Sequence, residues 1–110
     1  MIEKSEKIAT LLQIAVKAKQ LVFGHDAVLK LIVKKKVLLV ILAEDLGRTS
    51  HQSIIKHAEQ GKIDTLIMGT KNSYYKVLGI NTGIIGILDK NFKRGIVEIA
   101  SNGLSHTLED

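Results

Sequence analysis

A chain of 110 residues that is 45% hydrophobic can form one domain with a real core, and it is far from the composition of a disordered segment. It contains no cysteine, which excludes a disulfide framework, a thiolate zinc site and a Cys nucleophile. Lys and Arg number 16 against 11 Asp and Glu, a net charge of +5. That balance suits a polyanionic partner, or equally a well-solvated lysine-rich surface.

The apolar residues Ile8, Leu11, Leu12, Ala15 and Ala18 recur at helical spacing and predict a first helix. Leu21, Val22 and Phe23 read as a short strand stopped by Gly24. Ala27, Val28, Leu31 and Ile32 predict a second helix over 25–35, followed by the basic block Lys34, Lys35 and Lys36. Residues 37–43 are continuously apolar and partly β-branched, as in a strand buried on both faces. Thr49 or Ser50 is the expected cap of a third helix carrying Ile54, Ile55 and Ala58, with Gly61 as a left-handed stop. A strand over 65–68 closes at Gly69, a short helix over 73–78 ends at Gly79, and a last strand covers 84–88. Asp89 caps a final helix with Phe92, Ile96, Ile99 and Ala100 inward, and 101–110 reads as a polar tail.

Strict alternation of helix and strand predicts an α/β fold: a three-layer α/β/α sandwich on a mixed, mostly parallel four-stranded sheet, in one domain over 1–110. The longest apolar run is too short for a bilayer, and the N-terminus mixes Glu3 and Glu6 with Lys4 and Lys7. A cytoplasmic protein without membrane association is therefore expected.

The chemistry-bearing residues do not assemble an enzyme. His25, His51, His57 and His106 lack metal-ligand spacing, and no metal or other cofactor is expected. Glu44 and Asp45 at a strand end suit a cation or acid–base work, but such pairs are more often solvent-facing. Ser50-His51 and Ser105-His106 are only sequence neighbours, which creates no triad geometry. Gly79, Gly83 and Gly86 precede a strand, the wrong context for a dinucleotide loop. With Phe23, Tyr74, Tyr75 and Phe92 as the only aromatics, a stacking platform for single strands is excluded. The helix opening at Gly24 is different: free N–H groups and a positive dipole end suit phosphate, and Lys30 reaches back along one face. A plain helix start with a solvated lysine is the competing reading.

Three segments together resemble a family. They are Gly24-His25-Asp26-Ala27-Val28-Leu29-Lys30, the strand end Ala43-Glu44-Asp45, and Lys76-Val77-Leu78-Gly79-Ile80-Asn81-Thr82-Gly83. They look like the kink-turn-binding ribosomal protein superfamily of the L7Ae/L30e type, from about Ile8 to Gly95. Leu11-Leu12-Gln13-Ile14-Ala15 with Leu21-Val22-Phe23-Gly24 is most similar to its small bacterial YlxQ branch. The resemblance implies the sandwich fold and recognition of kinked RNA helices with tandem sheared G·A pairs. Its motif at the second helix is Gly-x-Asn-Glu-x-x-Lys. Gly24 and Lys30 match; Asp26 stands where Asn is usual and Ala27 where Glu is usual. Gly24 would let the backbone approach RNA beside His25, and Lys30 would contact guanine acceptors or phosphate. Glu44, Asp45 and Leu46 would flank that contact with Ile80, Asn81, Thr82 and Gly83, Ile80 pressing on an extruded base.

The departures have physical content. Asn both donates and accepts, whereas an ionised Asp only accepts and repels phosphate. Losing one good base contact costs about 1–3 kcal/mol. The expectation is non-catalytic binding of structured RNA, either kink-turn-like or ribosomal, with ribosome association and no DNA partner. The alternative is a protein-interaction module that keeps the fold without kink-turn recognition. A third reading, the recognition domain of an RNA methyltransferase, is disfavoured because no catalytic part follows in these 110 residues.

Overall fold

The computed structural model describes residues 4–102. The nine expected elements follow one another: α1 (Lys4–Lys17), β1 (Leu21–Phe23), α2 (His25–Val33), β2 (Leu39–Leu42), α3 (Arg48–Gln60), β3 (Asp64–Ile67), α4 (Lys71–Leu78), β4 (Ile84–Ile87) and α5 (Lys90–Asn102). The strands form one sheet in the order β1-β4-β2-β3. Alternation along β2 divides the core. Leu39 and Ile41 join Ile8, Leu12, Tyr74 and Ile96 under α1, α4 and α5. Val40 and Leu42 join Val28, Ile32 and Ile54 under α2 and α3. All four β2 residues are buried, as a central strand covered on both faces requires.

The three layers and the mixed sheet are as the alternation implies. The directions refine the expected mostly parallel sheet. β2 pairs parallel with β3, while β4 pairs antiparallel with both β1 and β2. Three strands therefore share a direction, but two of the three pairings are antiparallel. The cause lies in α4. Its eight residues rise only about 12 Å, and the turn at 79–83 folds back to the edge that β3 left. β4 therefore enters from that edge, against its neighbours.

Several local expectations are corrected. α3 opens at Gly47 without a side-chain cap, leaving Thr49 and Ser50 inside its first turn. Gly61 has φ −88, and the left-handed residue is Lys62. Ala27 is exposed on α2 while Val28 and Ile32 fill the core. Ala18 lies beyond α1 and is exposed. α4 begins two residues earlier than expected because Thr70 and Ser73 form a capping box. Asp89 does cap α5, accepting from the Asn91 and Phe92 N–H groups at 2.7 and 3.2 Å. Of the expected tail, residues 101–102 belong to α5 and 103–110 lie outside the described residues, as does His106.

Candidate functional site

Because β4 opposes the other strands, its amino end meets the carboxyl ends of β1, β2 and β3. The turns that follow those strands share that edge and are bonded to one another. Gly24 N–H donates to the Ile84 carbonyl at 2.9 Å, Ala43 N–H to the Gly83 carbonyl at 2.9 Å, and Glu44 N–H to the Gly69 carbonyl at 2.8 Å. Four segments distant in sequence, at 24, 43–44, 69 and 83–84, are thus one surface.

Gly24 stands at φ 94, ψ 152, a conformation that costs an L residue and leaves glycine free. It opens α2 with no side-chain cap, and a Cβ placed there would meet nothing within 4 Å. The helix start is open to a partner. Asp26 projects into solvent, and Lys30 stands one turn further along the same exposed face. His25 is turned inward. Its Nδ1 lies 3.2 Å from Asp26 Oδ1 and its Nε2 3.3 Å from Ser53 Oγ on α3, so it ties two helices together. Ala27 is exposed beside them.

Across the edge, Glu44 is exposed and Asp45 Oδ1 accepts the Lys71 N–H at 3.0 Å, holding the start of α4. Leu46 packs into the core under α2 and α3. In the last turn, Asn81 is exposed and Ile80 half-buried, whereas Thr82 and Gly83 are buried. Thr82 Oγ1 accepts from Ile84 N–H at 3.1 Å and donates to the Ile84 carbonyl at 3.0 Å. A Cβ on Gly83 would come within 3.1 Å of both Leu46 Cδ1 and Lys71 Cγ, so a larger residue would force these two side chains to shift. Thr82 and Gly83 shape the turn, and Ile80 and Asn81 are its outward residues.

Sequence reasoning left out Lys71, Asn72 and Tyr75. With Asp45 and Asn81 they line an open polar cleft at this edge. The signal was present in Tyr74-Tyr75: neighbours on a helix point about 100° apart, so one tyrosine of the pair faces outward. Tyr74 is buried and donates to the Met68 carbonyl; burial, with the Glu44 charge adding, pushes its phenol well above the ordinary value. Among the described residues, no group of three or more His, Asp or Glu side chains could hold a metal ion. Of the basic residues late in the sequence, Lys71 opens α4 at this edge, whereas Lys90, Lys93 and Arg94 lie at the start of α5 at the other.

The Ribosomal protein L7Ae/L30e/S12e/Gadd45 family matches residues 6–94, a span that contains the whole edge. The chain belongs to this family. Among solved structures, a Bacillus halodurans protein of unknown function is similar at 26% identity with a TM-score of 0.80, over 84% of this chain and 95% of that one. A Giardia lamblia 15.5kD RNA binding protein shares the L7Ae-type fold at 19% identity, TM-score 0.74, over 93% of this chain and 88% of its own. No curated protein matches the chain.

Proposed function

We propose that this protein is a non-catalytic, cytoplasmic RNA-binding protein of the L7Ae family that grips a kinked RNA helix, kink-turn-like or ribosomal, at the sheet edge. The observation that carries the reading is the bonding of the 24, 43–44 and 83 turns into one surface around an uncapped helix start. Phosphate is drawn to the α2 N-terminus, Lys30 supplies a charged contact, and Ile80 with Asn81 meets an unstacked base. Family membership over residues 6–94 and the printed description of the Giardia relative support RNA as the partner. Residues 11–15 and 21–24 favour the YlxQ branch, and family membership favours ribosome association. No metal or other cofactor takes part, and neither DNA nor membrane is a partner; no described helix is long and apolar enough to cross a bilayer.

One observation favours the alternative, a protein-interaction module. The fully exposed carboxylate of Asp26 stands where a phosphate would approach, with Glu44 exposed nearby along the edge. A titration against a kink-turn RNA and a matched straight duplex, at two salt concentrations, separates the readings. Preference for the kinked RNA that survives added salt is expected. Equal, salt-sensitive binding to both would remove the kink-turn assignment, and no binding to either would favour the interaction module.

A further inference from the structure

The opposite edge of the sheet is built by one turn used three times. The positive-φ non-glycine residues among the described residues are Lys19 at φ 59, Lys35 at φ 60 and Lys62 at φ 56. Each ends a helix, α1, α2 or α3, just before the next strand. Each lysine N–H donates to the carbonyl three residues back: Lys19 to Val16 at 3.1 Å, Lys35 to Ile32 at 2.9 Å, Lys62 to Glu59 at 3.1 Å. The following N–H donates five back: Gln20 to Ala15 at 2.9 Å, Lys36 to Leu31 at 2.8 Å, Ile63 to Ala58 at 2.8 Å. This is the Schellman helix stop, whose left-handed position glycine fills without strain. Here lysine fills all three.

The fold sets these turns in a row. The first residues of β1 and β2 both face Ile87 of β4, and the first residue of β2 faces that of β3. The strands they enter therefore lie within three strand spacings, about 14 Å, with Lys35 and Lys62 ending helices on one face of the sheet and Lys19 ending α1 on the other. β4 leaves at the same edge, so α5 adds Lys90 and Lys93. Lys35, Lys62 and Lys93 come together around one shallow depression floored by Val37 and Ile63. Lys34 and Lys36 are exposed beside it. Three carboxylates share this edge, Asp64 with its Oδ2 3.3 Å from Lys93 Nζ, Asp89 capping α5 and Glu59 exposed in the last turn of α3, fewer than half the number of lysines there. At the first edge, by contrast, Asp26, Glu44 and Asp45 equal in number the cations Lys30, Arg48 and Lys71.

We propose that this edge is a second binding surface, which takes the phosphate backbone of an RNA duplex and lets the protein hold two RNA segments at once. The ammonium groups rise on flexible stems from turns of defined backbone geometry, and no aromatic side chain from those turns is there to stack on bases. Recognition is therefore of charge, without sequence preference. RNA as partner follows from the functional reading above, but the surface does not depend on what fills the first edge.

The backbone strain supplies a clean test. In a Lys19→Gly/Lys35→Gly/Lys62→Gly variant, three charges leave while each turn gains the residue its φ favours, so the thermal midpoint should hold or rise. The probe is a straight RNA duplex of about 20 base pairs, titrated between about 50 and 200 mM salt. Each phosphate contact contributes about 0.9 to the slope of log affinity against log salt. Over that range, the unaltered protein should lose affinity roughly 40-fold more than the variant. Lys56→Ala, which removes one exposed charge midway along α3 and away from both edges, should leave the straight-duplex slope intact. A triple variant that binds the straight duplex with unchanged affinity and slope overturns the proposal. So does loss of binding to phosphatidylserine vesicles with RNA binding untouched, which would assign the edge to a lipid surface. Failure of the first-edge reading looks different: kinked and straight RNA bind alike while the triple variant still flattens the slope.

Discussion

Lys30 and Asp26 share one face of α2 and pull a phosphate-rich ligand in opposite directions. Lys30→Ala should weaken binding to kinked RNA by about 1–3 kcal/mol, as for one lost charged or base contact. Asp26→Asn should strengthen it, since the amide restores a donor and removes a negative charge at the helix start; isothermal titration of the two variants reads both signs. If neither change alters affinity, the α2 start is not the contact. Tyr74 makes a separate prediction. Its phenol, buried and facing the Glu44 charge, titrates above its ordinary value of 10.0 in the folded chain. Above that pH the unfolded chain binds fewer protons than the folded one, so stability is full below about pH 10 and falls as pH rises further. Tyr74→Phe should flatten this alkaline fall, at a cost of roughly 1 kcal/mol near neutral pH for the lost bond to the Met68 carbonyl. Urea unfolding at pH 7 and above pH 10 measures both effects.

Of the five helices, α4 is the shortest, at eight residues, and it depends on its ends. Thr70 accepts the Ser73 N–H at 3.1 Å, Ser73 Oγ accepts the Thr70 N–H at 2.9 Å, and Asp45 accepts the Lys71 N–H. Gly79 closes the helix in the left-handed conformation at φ 70. Thr70→Ala should destabilise the protein by about 0.5–2 kcal/mol, the usual cost of a lost N-cap. The shift in thermal midpoint checks it. Because α4 delivers the chain to Ile80 and Asn81, the same variant should also weaken kinked-RNA binding; unchanged affinity would mean that the 80–83 turn is held by Thr82 and Gly83 alone. The C-terminal stop of α4 was readable because a glycine marks it. The start was misread because Thr70 and Ser73 box each other three residues apart, without the acidic partner that usually advertises the motif.

The molecule is centred on β2 and β4, each paired on both sides by hydrogen bonds and covered on both faces, and β2 joins β3 to the rest of the sheet. Ile41→Ala opens a cavity under α1, α4 and α5 and should cost about 2–5 kcal/mol, a large share of the roughly 5–15 kcal/mol of a typical domain. The urea midpoint should drop with little change in slope. An effect below about 1 kcal/mol would mean that the core collapses to fill the gap. The centrality of β2 was legible at 37–43, because an uninterrupted apolar run needs cover on both faces. The alternation of elements was legible for the same reason: hydrophobic period and glycine punctuation act over a few residues, and those residues are adjacent in the chain. The strand order, the reversal of β4 and the two opposed edges were not. They arise from pairing between segments tens of residues apart, on which local period is silent. The convergence of Gly24, Glu44 and Gly83, and the alignment of Lys19, Lys35 and Lys62 on the far side, exist only once the sheet has set their strands in register.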